Sequence, residues 1–236
     1  QHQSAISEKR LNVFLPAYFT LVLLGPQSVN PLRNWVLLAA IPLLFVLLDP
    51  LKILQKFIWL RPGLAALIVA VVYLLTIAPT VGEADTFEFQ VNVIRMGINH
   101  GSGYPLYMLI AKLFSWLPVG GTIAYRINLS SVFFGVASIL LLYHFLQKIT
   151  PINYKVQSIS AFVAALSLGF SRGLWSRAVE AEVYTVHVFM IGLSLFFIWQ
   201  YLQAENHNAQ RWSLNKLALT LGLSFANHLT TGLLGP

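Results

Sequence analysis

Apolar runs dominate the chain, at 11–24, 35–48, 60–78, 121–146, 156–171, 183–202 and 214–234, with short polar stretches between them. A helix crosses the roughly 30 Å hydrocarbon core of a bilayer in about 20 residues, so the last five runs are predicted spans. The first two are shorter and carry Pro16 and Pro42, which favours tilted, kinked or partly inserted helices. No internal repeat or low-complexity tract stands out. The pattern divides the chain into an N-terminal extension, residues 1–60, with one or two short membrane helices, and a transmembrane module, residues 61–236. The chain opens on Gln1 and stops at Gly235-Pro236 directly after an apolar run, which reads as part of a longer protein, truncated at its C-terminus.

The segment 79–120 breaks this rhythm. Polar and apolar residues alternate there, and Pro79, Gly101, Gly103, Pro105, Pro118, Gly120 and Gly121 punctuate it, so it is predicted to be a structured loop. Within it Phe87, Val91, Ile94 and Ile98 recur at helical spacing, with Glu88, Asn92, Arg95 and Asn99 one residue on, which predicts a helix lying in the membrane interface. The apolar stretch Pro105 to Leu117 is too short to span. Its thirteen residues reach about 20 Å at about 1.5 Å per residue, and a crossing would leave Lys112 deep in the hydrocarbon. It is therefore predicted to be a second interfacial or re-entrant helix.

Composition removes whole classes of function. With 57% hydrophobic and 10% charged residues and a mean hydropathy of +0.69, a water-soluble fold is excluded, and the expectation is an all-α integral membrane bundle. The net charge of +7 comes from basic residues scattered between apolar runs, not from a stripe with interleaved aromatics, so nucleic acid is not the expected partner. Cysteine is absent, which excludes a disulfide framework and thiolate metal sites. The first residues do not read as a cleavable signal peptide. With the N-terminus inside, nine of the fifteen basic residues fall on the inner side, the sign expected of the positive-inside rule, and the 79–120 loop falls outside.

That outer face collects five of the eight acidic residues, Glu83, Asp85, Glu88, Glu180 and Glu182, together with Arg95, His100, Arg126, Arg172, Arg177 and His228. Ionisable groups gathered at helix ends are costly in a bilayer and so are functional candidates. In Gly82-Glu83-Ala84-Asp85-Thr86-Phe87-Glu88, Asp85 and Glu88 have the spacing of a capping box as well as that of a catalytic pair, and the sequence leaves both readings open. Clustered carboxylates would raise one another's pKa, as a base working near neutral pH requires. The turn from His100 to Tyr107 would set His100 and Tyr104 beside the carboxylates, or serve only as turn chemistry ahead of Pro105. Arg126 and Arg177 are placed to hold a phosphate, or simply to anchor helix ends, and Arg172, Arg177, Glu180 and Glu182 can also pair with one another. His187 and Asn227-His228, within apolar runs, read more readily as packing residues than as metal ligands.

Several of these residues stand in a familiar order. Thr76-Ile77-Ala78-Pro79-Thr80, Asp85-x-x-Glu88, His100 to Tyr107, Arg126-Ile127-Asn128-Leu129-Ser130-Ser131, Glu182-Val183-Tyr184 and Asn227-His228-Leu229-Thr230 resemble a multi-pass family whose eukaryotic member is an endoplasmic reticulum protein O-mannosyltransferase. The resemblance covers residues 63–236 and departs at Gly101-Ser102, where the family usually has a proline-rich turn. It implies a GT-C glycosyltransferase bundle whose first outer loop, here 79–120, carries a catalytic acidic residue and two juxtamembrane helices. The implied reaction moves mannose or a similar hexose, with inversion, from a polyprenyl- or dolichyl-phosphate carrier to a hydroxyl of a protein or glycan. Asp85 would be the base and Glu88 its support, with His100, Tyr104, Arg126, Arg177, Glu182 and His228 holding the donor's phosphate and sugar. No metal ligand set is assigned, although a divalent cation is compatible with the chemistry. Expected partners are the lipid-linked sugar, the acceptor, membrane lipids and, in an assembly, further subunits. The expected location is the bacterial plasma membrane or the endoplasmic reticulum, with the loop on the extracytoplasmic or lumenal side. Two other classes compete: a transporter or channel, which would place polar groups near the midplane of several spans, and a non-catalytic subunit that keeps the fold.

Overall fold

Pro62 presets the backbone for the first described helix, because a proline in the first turn lacks only an N–H that has no helical partner anyway. This helix, α1 (Arg61–Thr76), stops where Ile77 turns extended, two residues before Pro79. The computed structural model describes residues 60–101, 103–149 and 154–234. The predicted extension with its runs at 11–24 and 35–48, like Ser102, lies outside the described residues.

Among the described residues every regular element is helical. After α1 come α2 (Ala84–Arg95), α3 (Pro105–Ser115), α4 (Ile123–Ile149), α5 (Tyr154–Gly169), α6 (Arg172–Ala178), α7 (Tyr184–Gln203) and α8 (His207–Asn227), followed by a 3-10 turn, Leu229–Leu234. By length and composition α4 and α7 are each able to cross a membrane, and α5 with α6 adds a third crossing if the pair is one span, bent by 60° at its break. The bend has a local cause: Ser171 ends one helix and caps the next, its hydroxyl accepting from the Leu174 amide. α1, with 16 residues, rises about 24 Å and falls short of a full crossing.

One expectation is corrected. The run at 214–234 is not one span: α8 starts seven residues earlier, ends at Asn227, and gives way to the 3-10 turn. Its buried residues are Ser213, Thr220, Ser224 and Asn227, whereas Trp212, Leu219, Leu223 and Phe225 face outward. The exposed His207, Asn208, Arg211, Asn215 and Lys216 of its N-terminal half keep its mean hydropathy below that of a spanning helix. In α2 the apolar stripe is not the packed face. Phe87, Ile94 and Ile98 are exposed, and Thr86, Phe89, Gln90 and Val93 are buried against the rest of the protein.

α4 is the central post and packs against α1, α3, α5, α6 and α7. One core joins Val69 and Tyr73 of α1 to Ile139 of α4, Leu166 of α5 and Ala178 of α6; a second joins Phe89 of α2 and Tyr107 of α3 to Ile127 of α4 and Val186 of α7. Close approach in the first core depends on Gly135. A Cβ there would stand 2.9 Å from the Tyr73 ring and 3.1 Å from Ala178 Cβ. Tyr73 in turn donates its hydroxyl to the Gly169 carbonyl at 2.6 Å, tying α1 to the end of α5. Gly135→Leu is expected to destabilise the bundle by about 1–3 kcal/mol through overpacking. Gly173→Ala, with nothing within 4 Å of the added methyl, should leave the melting temperature in detergent level or higher; equal melting of the two variants would refute the close packing.

Candidate active site

The irregular segment between α1 and α2 decides where the acidic motif lands. Ala78 donates its amide to the Val179 carbonyl, Pro79 accepts from the Thr122 hydroxyl, and Gly82 donates to Gln90 Oε1. The chain then enters α2 through Ala84, whose φ of 49° is left-handed. A non-glycine residue there costs about 1–2 kcal/mol, a strain that persists only where neighbours enforce it.

The capping-box reading of Asp85 and Glu88 does not hold in the structure. Glu83 is the N-cap residue and makes no side-chain cap. Glu88 turns instead to the far end of the loop: Oε1 accepts the His100 amide at 2.8 Å and Oε2 meets His100 Nδ1 at 2.5 Å. On the other side of the ring, Nε2 lies 3.9 Å from Asp85 Oδ2. The Asp85 carboxylate is exposed and has no hydrogen bond among the described residues.

These contacts set the charges. Hydrogen bonds from the His100 amide and then from its ring hold the Glu88 carboxyl below the ordinary carboxylate range, so the mutual rise expected of clustered carboxylates does not occur there. The bond to Glu88 holds His100 above its usual value, with the charges of Asp85 and Glu182 acting in the same sense. The raised carboxyl is Glu182, which burial pushes up against the pull of Arg177.

From His100 a run of rings crosses to α7 and the end of α8. Tyr104 sits edge-on to His100 at 5.8 Å between centroids and 5.8 Å from His228, which lies 5.7 Å from Tyr184 and 5.0 Å from His187. Tyr104 is left-handed, with a φ of 49°, and opens α3 at Pro105. Arg177 lies over the Tyr184 ring at 5.3 Å and bonds Glu182 Oε1 at 2.7 Å. Glu182 is held twice through its backbone, which donates to and accepts from the Ser131 hydroxyl of α4. Asp85, Glu88, His100, Tyr104, His228, Arg177 and Glu182 thus share one connected surface.

Arg126 does not join it. Its guanidinium donates to the Leu117 carbonyl at 3.2 Å, its Nε is buried without a partner, and no ion pair links it to the cluster among the described residues. Within the 176–182 turn, Arg177 pairs with Glu182, and Glu180 accepts from Thr86 of α2. Lys112, read above as a depth signal, donates to the Ile94 carbonyl at 2.7 Å and so caps the end of α2.

Two features escaped the sequence reading. Thr230 bridges His187 Nε2 at 3.0 Å and His228 Nδ1 at 2.7 Å, which makes the two histidines a pair and not separate packing residues. Gln90, on the buried side of α2, bonds Asn128 of α4 at 2.8 Å. Its only signal was an amide on a face that turns out to be packed. As a cation site the cluster fits weakly. Asp85, Glu88 and His100 offer ligand atoms within 4.8 Å of one another, but Glu88 and His100 are already engaged with each other.

The pairing has a defined pH window. The Glu88 share of stability is lost as pH falls through its depressed folded value, and the His100 share as pH rises through its elevated one, so both are present only between the two. The His100 ring should titrate above 6.5 by NMR and move down in Glu88→Gln; an unchanged midpoint would show that the pair does not form in solution.

Comparison with known proteins identifies the family. The protein O-mannosyl-transferase TMEM260 N-terminal domain family matches residues 85–236, a stretch that begins at Asp85 and includes Glu88, His100, Tyr104, Arg126, Arg177, Glu182 and His228. Protein O-mannosyl-transferase TMEM260 of Mus musculus is 28% identical over 162 residues, 69% of this chain and 22% of the mouse protein. Its namesake in Dictyostelium discoideum is 23% identical over 167 residues, 68% of this chain and 20% of that protein. The matched part thus spans about a fifth of each relative's length. No solved structure matches the chain.

Proposed function

Because the chain belongs to the protein O-mannosyl-transferase TMEM260 N-terminal domain family, we propose that it is the membrane-embedded part of a glycosyltransferase that moves mannose from a polyprenyl- or dolichyl-phosphate to a hydroxyl of a protein or glycan. The observation that carries the chemistry is the state of Asp85: exposed, without a hydrogen bond, and set beside a histidine already engaged by Glu88. In a single inverting displacement the acceptor oxygen bonds the anomeric carbon, its proton passes to Asp85, and the bond from that carbon to the phosphate oxygen breaks with its electron pair on the phosphate. Glu88 serves through His100, which it orients.

Arg177 is the cation for the departing phosphate. Its contact with Glu182 and Tyr184 keeps it at the rim of the cluster, and a guanidinium suits a phosphate's geometry. Tyr104 and His228 form the floor between it and His100. Arg126 would reach the phosphate only by leaving the Leu117 carbonyl. The fold reading that goes with this is a polytopic GT-C bundle, with α2 and α3 lying in the membrane interface on the extracytoplasmic or lumenal side. The exposed stripe of Phe87, Ile94 and Ile98, continued by Leu109, Leu113 and Trp116 on α3, supports that placement.

The test is mannose transfer from polyprenyl-phosphate mannose and dolichyl-phosphate mannose by purified full-length protein. Asp85→Asn should lower kcat about 100- to 10,000-fold, the usual contribution of a general base, with folding intact. Absence of transfer by the wild type with either donor and a range of hydroxyl acceptors would sink the proposal in favour of a non-catalytic subunit.

A further inference from the structure

Two buried amides connect the loop that carries Asp85 to the central helix. Gln90 is 2% exposed and Asn128 fully buried. Gln90 Oε1 accepts the Gly82 amide at 2.9 Å, Gln90 Nε2 donates to Asn128 Oδ1 at 2.8 Å, and Asn128 Nδ2 donates to the Ala78 carbonyl at 2.9 Å. The relay has one workable direction. Turning either amide over would set donor against donor or acceptor against acceptor, and neither site opens to water that could make up the loss.

Its place in the chain gives it a consequence. The two backbone groups it grips, Ala78 and Gly82, bracket the irregular stretch that ends in the left-handed Ala84. The next residue is Asp85, whose own carboxylate makes no hydrogen bond among the described residues and only a 3.9 Å charge contact with His100. Gln90 stands on the opposite side of the same helix, five positions on, so it fixes the start of α2 from below while Asp85 faces out. A strained residue persists only where its surroundings over-determine it, and here the relay supplies that constraint.

We propose that Gln90 and Asn128 are positioning residues: their amide relay holds the 78–84 segment so that Asp85 is presented beside His100. The catalytic consequence rests on the reading of Asp85 as the base; the positional one does not. Four full-length proteins in detergent test the positional claim: wild type, Asp85→Asn, Gln90→Met, and the double variant Gln90→Met/Asp85→Asn, each with His100 titrated by NMR. In the wild-type background Asp85→Asn should lower the His100 midpoint, because a carboxylate 3.9 Å from Nε2 is removed. In the Gln90→Met background that difference should vanish. An equal difference in both backgrounds, or none in either, overturns the inference whether or not the protein transfers mannose.

Two further measurements separate position from simple loss of stability. Gln90→Met/Asn128→Leu removes both amides together and exchanges the unpaired Asn128 Oδ1 of Gln90→Met for an unpaired Ala78 carbonyl, so kcat of the two variants is read beside their melting temperatures, below the onset of unfolding. If the relay positions Asp85, kcat for mannose transfer falls about 10- to 100-fold in both variants with the donor KM unchanged. If folded protein of both variants keeps the wild-type kcat and only the melting temperature falls, the relay is structural only. A wild type that transfers no mannose removes the proposed activity and leaves the titration cycle to decide the positional claim.

Discussion

Backbone groups that leave a helix inside an apolar bundle have no water to turn to, and this protein meets that constraint along one face of α4. Asn128 takes the Ala78 carbonyl, Ser131 takes both the amide and the carbonyl of Glu182, and one turn further Gly135 lets the Tyr73 ring and Ala178 approach. Two irregular segments and two helices therefore meet a single rail. The two that carry the candidate chemistry, 78–84 and 179–183, are also joined directly by the bond from the Ala78 amide to the Val179 carbonyl. The site is a by-product of this arrangement: once both segments are pinned to α4, Asp85 and Arg177 have to face the same space.

Much of the fold was legible because α4 and α7 are apolar on all sides and long enough that averaging over a window finds them. α8 was not, for a physical reason. Its N-terminal half carries His207, Asn208, Arg211, Asn215 and Lys216, all exposed, and these lower its mean hydropathy more than the buried seam of Ser213, Thr220, Ser224 and Asn227 does. α2 shows the limit of periodicity. Periodicity found the helix, but it could not say whether the apolar or the mixed face would meet the protein, and the buried face holds Thr86 and Gln90 as well as Phe89 and Val93. A pattern rule that sends apolar residues inward fails where the outer surroundings are themselves apolar.

The candidate site was legible as a list and not as a geometry. Spacing gave Asp85 and Glu88 the form of a capping box, and nothing in the sequence near them revealed that Glu88 would reach twelve positions on to the His100 amide. That bond reverses the expected electrostatics: a carboxylate accepting an amide and a ring nitrogen is held low, where a carboxylate facing another would be held high. The bridge from Thr230 to His187 was hidden for the same reason, since it joins residues 43 positions apart.

The two charge pairs in the cluster narrow the choice of base. Glu88 is engaged by His100, Glu182 is buried and held by Arg177, and Glu180 accepts from Thr86. A carboxylate that accepts hydrogen bonds is stabilised as the anion and is a poorer proton acceptor for it. Asp85 alone among the carboxylates in contact with the cluster has no such bond. With Glu88 bonded to His100 and Glu182 to Arg177, Asp85 keeps only a 3.9 Å charge contact with His100 and no hydrogen bond, which leaves it the freest of these carboxylates for the acceptor that the proposed reaction requires. A base needs that freedom more than it needs a partner. The cost is that no hydrogen bond fixes the side chain, so on the proposed reading its precision comes from the backbone that carries it, and hence from the contacts that pin 78–84 to α4.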